Sequence, residues 1–104
     1  MLRKFVIERD VPGIGGKSAA ELGEAAKTSN GALAQIAGIQ WQHSYVTADK
    51  TFCIYLAESE QQIREHARLS GFPANKVTEV IEIIDPTTER QCGLARPRPL
   101  AAAR

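Results

Sequence analysis

The sequence predicts an α+β fold in which a four-stranded antiparallel sheet carries two helices on one face. Three observations predict it. Two stretches, opening at Ser18 and Ser59, begin with the S-x-x-E or S-x-x-Q pattern of a helix start and continue with apolar residues at helical spacing. Four others, at Arg3–Asp10, the two arms of Ile39–Ala57, and Lys76–Ile84, alternate or are β-branched, as strands do. Between them lie glycine, proline and Asx turns. The order is β-α-β-β-α-β in two βαβ halves, the ferredoxin-like arrangement.

In Arg3–Asp10, Phe5 and Ile7 alternate with Val6 and Glu8, so one face of the strand is apolar. Val11-Pro12-Gly13-Ile14-Gly15-Gly16 breaks that strand. Ser18-Ala19-Ala20-Glu21 then opens the first helix, with Leu22, Ala25, Ala26, Leu33 and Ile36 as its stripe and Gly38 as its stop. Asn30-Gly31 is a weak point within it. The central hairpin, Ile39–Ala57, turns at Ala48-Asp49 and holds the one Trp and both Tyr. Trp41, His43 and Tyr45 alternate with polar residues and are expected on one face. On the return arm Phe52, Ile54 and Leu56 alternate with Thr51, Cys53 and Tyr55, so neither face is cleanly polar. The second helix runs from Ser59 to about Ser70, where Gly71 and Pro73 stop it. Lys76–Ile84 is the fourth strand, ended by Asp85-Pro86.

Two helices cannot cover both faces of the sheet. The second face draws on Val6, Cys53, Tyr55, Trp41, His43 and Tyr45, and a second copy packed sheet to sheet is the simplest cover. A homodimer is expected. Residues 1–88 form the domain, and 89–104 form a basic, proline-containing tail expected to dock loosely.

A chain of 104 residues makes one domain with a modest core. Its 43% apolar and 24% charged residues place it among ordinary soluble proteins. A net charge of +1 gives no electrostatic reason for nucleic acid or a membrane surface as partner. No apolar run approaches the roughly 20 residues of a membrane span, and the start lacks a signal-peptide core, so a cytoplasmic location is expected. Cys53 and Cys92 are too few for a disulfide framework.

Gly16-Lys17-Ser18 resembles the end of a phosphate-binding loop, but the pattern G-x-x-x-x-G-K-[ST] needs a glycine where Val11 stands. A turn that needs glycine for its backbone angles explains the stretch better. An anion at the helix N-terminus beside Lys17 is the weaker alternative. His43 and Cys53 are a more interesting pair, since imidazole and thiolate both bind nickel, copper or zinc. A two-residue loop pairs His43 with Ile54, whereas a three-residue loop sets it opposite Cys53 on one face. The plainer reading makes Cys53 a small buried hydrophobe and His43 a hydrogen-bonded interface residue. His66 lies mid-helix beside the apolar stripe and reads first as a partly buried histidine. No Ser-His-Asp order, paired-Cys motif or H-x-x-x-H spacing is present, so no enzyme signature appears.

Phe5–Gly13 (FVIERDVPG), Trp41–Cys53 (W-x-H-S-Y-V-T-x-D-K-x-x-C), Arg64–Pro73 (R-E-H-A-x-x-x-G-F-P) and Ile84–Pro86 (I-D-P) together resemble a family of small bacterial proteins of unknown function that has a nickel-binding actinobacterial member. The likeness covers about residues 3–88. It implies a ferredoxin-like dimeric α+β barrel and, from that member, nickel as the candidate metal. His43, Cys53 and His66 are the candidate ligands on the shared positions, with Glu8 as a carboxylate to complete the shell. The function so implied is nickel sequestration or sensing. The alternatives are a cavity enzyme of the dimeric α+β barrel type, monooxygenase-like or isomerase-like, using His43 or Tyr45, and a non-catalytic regulatory dimer.

Overall fold

A computed structural model describes residues 1–91 of the chain. It comprises β1 (Arg3–Asp10), α1 (Ala19–Leu33), β2 (Gln40–Val46), β3 (Lys50–Ala57), α2 (Glu60–Ser70) and β4 (Lys76–Val80), with short 3-10 turns at Ile14–Gly16 and Pro86–Gln91. The strands form one antiparallel sheet in the order β2-β3-β1-β4. This is the ferredoxin-like α+β fold that the element order predicts. Cys92 and most of the C-terminal tail lie outside the described residues.

Both helices cover the face that carries Phe5, Ile7, Cys53, Tyr55 and Ala57, and these residues with Ile39 and Ile63 make the core. Leu33, Ile36, Trp41, Ala74 and Val77 pack around them. Ile63 is fully buried, so truncating it to Ala removes contacts on every side and should cost about 2–5 kcal/mol.

Both helices start as their sequences dictate. Ser18 Oγ accepts the Glu21 N–H at 3.1 Å, and Glu21 Oε1 accepts the Ser18 N–H at 2.9 Å, which closes a capping box. At α2, Ser59 Oγ accepts from the Gln62 N–H at a longer 3.4 Å. Gln62 reaches back one residue further than the pattern predicts, accepting from the Glu58 N–H and donating to the Ala37 carbonyl. Thus Gln62 ties α2 to the loop before β2. Gly71, at φ 80°, closes α2 in the left-handed region where a side chain would be strained.

Three boundaries depart from expectation. α1 passes through Asn30-Gly31 but ends at Leu33, short of Gly38, as Gln35 and Ile36 bond back three residues to Ala32 and Leu33. β4 ends at Val80 and not at Ile84, because its one neighbour β1 runs out: Lys4 pairs with Val80, and only Arg3 of β1 lies beyond it. Ile81, Ile83 and Ile84 are therefore left 85%, 60% and 75% exposed. The third departure is a bulge in β2. Trp41 pairs with Tyr55 and His43 with Ile54, so Gln42 is an extra residue between them.

That bulge reverses the side-chain alternation. Trp41 turns to the helix face and stacks on Tyr55, with ring centroids 6.4 Å apart. His43 and Tyr45 stay on the open face. Cys53 and Tyr55 also belong to the helix face, as buried partners of Phe5 and Ile7 across β1. Of the six residues from which the open face is expected to draw, Val6, His43 and Tyr45 are there, joined by Phe52, Ile54 and Leu56. Cys53, Tyr55 and Trp41 are not.

The glycine-rich loop is structural. A Cβ on Gly15 would stand 2.7 Å from the Thr47 carbonyl oxygen and 2.8 Å from Ala48 Cα, both backbone atoms of the hairpin turn. The Gly15 N–H also donates to the Ala48 carbonyl. Gly15→Ala should therefore lower the denaturation midpoint more than Ser18→Ala, which loses one cap at about 1 kcal/mol. Equal midpoints for Gly15→Ala and wild type would show that the loop does not bear on the hairpin.

Candidate functional site

The two-residue loop at Ala48-Asp49 settles the hairpin register. Thr47 and Lys50 close it through three hydrogen bonds, and the pairing that follows sets His43 against Ile54 and Ser44 against Cys53. His43 and Cys53 are thus on opposite faces of the sheet. A β-sheet one residue thick separates them, so they cannot bind one ion within a single chain.

The other candidates lie apart as well. Cys53 is buried in the core, where its thiol meets Thr51 Oγ1 at 3.6 Å. His66 is 1% exposed, under α2, and its Nε2 lies 3.1 Å from Ser29 Oγ. Glu8 is on the open face, but its carboxylate accepts from Lys50 Nζ at 2.8 Å. It shares that face with His43, with β3 between their strands. His43 is exposed and its Nε2 is 3.2 Å from Tyr45 Oη, the two rings edge to face. Among the described residues, no three His, Cys, Asp or Glu side chains stand close enough together to hold a metal ion.

What the fold does bring together is a buried polar cluster that the sequence reading missed. The period-two alternation that sends Phe5 and Ile7 inward also sends Arg9 inward, and Arg9 is only 3% exposed. Its Nη1 donates to the Pro73 carbonyl at 2.6 Å, which fastens the loop after α2 to β1. Nη2 is buried with no hydrogen-bond partner. Nearby, Ser29 Oγ bridges His66 Nε2 and Tyr55 Oη, the latter at 3.3 Å, and the tyrosine and histidine rings pack 5.1 Å apart. Burial pushes the Tyr55 phenol up, tempered by Ser29 and by the charge on Arg9. Burial, then the Arg9 charge, pushes His66 down, so the imidazole is neutral at pH 7. With Nδ1 buried and unpartnered, the cheaper tautomer keeps the proton on Nε2 and donates it to Ser29.

Above this cluster, between α1 and the sheet, is a partly open pocket of about 220 Å³. It exists because α1 presents Ala25, Ala26 and Ser29 to the sheet, side chains too short to fill the gap. Trp41 and Phe72 wall it, and Arg9 borders it. His43 and Tyr45, the polar groups expected in an enzyme cavity, do not line it. The signals that could have found it were the run of small residues on the α1 stripe and the inward phase of Arg9.

Comparison with known proteins bears on the fold and the family. The family model described as nickel responsive protein SCO4226-like matches residues 5–80. Among solved structures, the chain resembles the crystal structure of SCO4226 from Streptomyces coelicolor A3(2), with a TM-score of 0.67 and 13% identity over 78% of this chain and 99% of that one. At that identity the likeness is one of fold. No curated protein sequence matches.

Because His66 is held neutral, the unfolded chain binds its proton more readily than the folded one. Stability should therefore rise with pH between the depressed folded value and the ordinary histidine value of about 6.5, and fall as pH drops through that window. Urea midpoints taken at pH values below and above the ordinary histidine value check this, and His66→Gln should flatten the slope. A wild-type slope unchanged in His66→Gln would assign the effect to another group.

Proposed function

Since the chain belongs to the nickel-responsive SCO4226-like family, we propose that it is a homodimer that binds nickel for sequestration or sensing, with His43 as its principal imidazole donor. The observation that carries this reading is the open face of the sheet. His43 is exposed there beside Tyr45, which is 59% exposed, amid Val6, Phe52, Ile54 and Leu56. An exposed imidazole on a sheet face that neither α1 nor α2 covers is accessible to a metal ion arriving from solvent, whereas Cys53 and His66 are walled into the core.

A second copy is the cover that this face calls for. Apolar side chains left uncovered in water cost about 25 cal/mol for each Å² exposed. The exposed Ile81, Ile83 and Ile84, carried past the end of β1, extend the uncovered apolar surface at the far edge of the sheet. A two-fold arrangement also answers the shortage of ligands. One chain offers His43 and Glu8 on this face, and a second laid across it brings another of each. Nickel takes nitrogen and oxygen donors of these kinds, with water completing its shell. Nickel here is cargo, and no chemical step is assigned to it.

Protein purified without an affinity tag should run as a dimer by light scattering and take up nickel in titration calorimetry. Ile54→Asp should shift it to monomer, because the charge sits in the middle of the covered face. His43→Ala should weaken nickel binding by about tenfold, or 1.4 kcal/mol, and Cys53→Ser should leave it unchanged. Nickel bound as tightly by His43→Ala as by wild type would remove His43 from the site. A wild-type protein that takes up no nickel would end the metal reading.

A further inference from the structure

We propose that the pocket between α1 and the sheet binds a small organic monocarboxylate with an apolar body, its carboxylate set against the guanidinium of Arg9. The inference does not depend on nickel or on the dimer, since the pocket lies on the helix-covered face of the sheet and the proposed metal donors lie on the other.

The argument starts from an uncompensated charge. Arg9 is always protonated, and removing an ion from water costs on the order of several kcal/mol unless a partner offsets it. It donates to the neutral Pro73 carbonyl, and the Tyr55 phenol, the other polar group that bears on it, is neutral too. Nη2 has no partner, and among the described residues no carboxylate forms an ion pair with Arg9. The acidic neighbours on its own strand, Glu8 and Asp10, point to the other face and are held by Lys50. The groups packed around it carry no negative charge either: Tyr55 keeps its proton and His66 is neutral. A cation buried without an anion, beside an empty volume, is a binding group in want of one.

The lining sets the rest of the ligand. Leu22, Ala25, Trp41, Val46 and Phe72 give the pocket mostly apolar walls, and Ser29, Ser44 and Thr51 add hydroxyls that can donate to a carboxylate oxygen. Ser44 already accepts the indole N–H of Trp41 at 3.0 Å, which leaves its own proton free to donate. At about 30 Å³ per water, the volume equals roughly seven waters, enough for a compact aromatic or branched aliphatic acid. One guanidinium and apolar walls suit a singly charged carboxylate better than a phosphate dianion, which needs several donors around it.

Trp41 is the one tryptophan in the chain and stands in the pocket wall, so its fluorescence reports occupancy. Tag-free wild-type protein is titrated with phenylacetate and 3-methylbutanoate, and with phenylacetamide and inorganic phosphate as uncharged and purely anionic comparisons. The expected result is a saturable Trp41 change and a raised melting temperature with at least one acid. Phenylacetamide should bind about tenfold weaker or less, and phosphate should not bind. Arg9→Met should lose the acid by at least about tenfold while keeping a melting temperature at or above that of unliganded wild type. Ala26→Phe fills the pocket without touching the charge and should abolish the response, so it decides the location even if Arg9→Met fails to fold. No saturable response to either acid, equal binding of acid and amide, or acid binding undiminished in Ala26→Phe would each overturn the proposal.

Discussion

β1 is paired along both edges, and every side chain it sends inward must find its partners beneath the layer of helices and loops on that face. Phe5 and Ile7 meet that condition through the core around Tyr55 and Ile63, where apolar packing is complete. Arg9, two residues further along the same inward row, meets it only in part, through one carbonyl of the loop after α2. The row cannot change phase without removing Phe5 and Ile7 from the core, so the position of Arg9 follows from that of its neighbours. The charge at the border of the pocket and the anchoring of the loop after α2 both descend from this one strand.

Much of the fold was legible because its signals are local. The Ser18-x-x-Glu21 box, the Gly71 stop and the alternation along β1 each act over a few residues, and each stands where its pattern places it. β4 was overestimated for a non-local reason. Ile81, Ile83 and Ile84 have strand propensity, but a strand needs a neighbour, and β1 has no residues left to offer. Propensity says nothing of where the partner ends.

The candidate site was less legible, and the bulge at Gln42 explains most of the difference. An unbroken alternation puts Trp41, His43 and Tyr45 on one face, and nothing in their composition announces an extra residue. Trp41 gains more from burial against Tyr55 than from the open face, and the strand accommodates it by bulging. The register choice between His43 opposite Cys53 and His43 opposite Ile54 turned on two-residue loop geometry that sequence leaves open. Arg9 was hidden differently. A charged residue near a strand end reads as solvated by default, and only its phase with Phe5 and Ile7 argues otherwise.

β2 is an edge strand whose described ladder partner is β3, and on either side of its bulge it contributes to two unlike surfaces. Trp41 forms part of the wall of a partly open pocket, while His43, two residues away, faces outward. The sheet insulates these two surfaces chemically, since no side chain passes through it. Mechanically it does the reverse. Any slide of β2 along β3 carries the indole and the imidazole together, so displacement of the strand is a coordinate that both sides share.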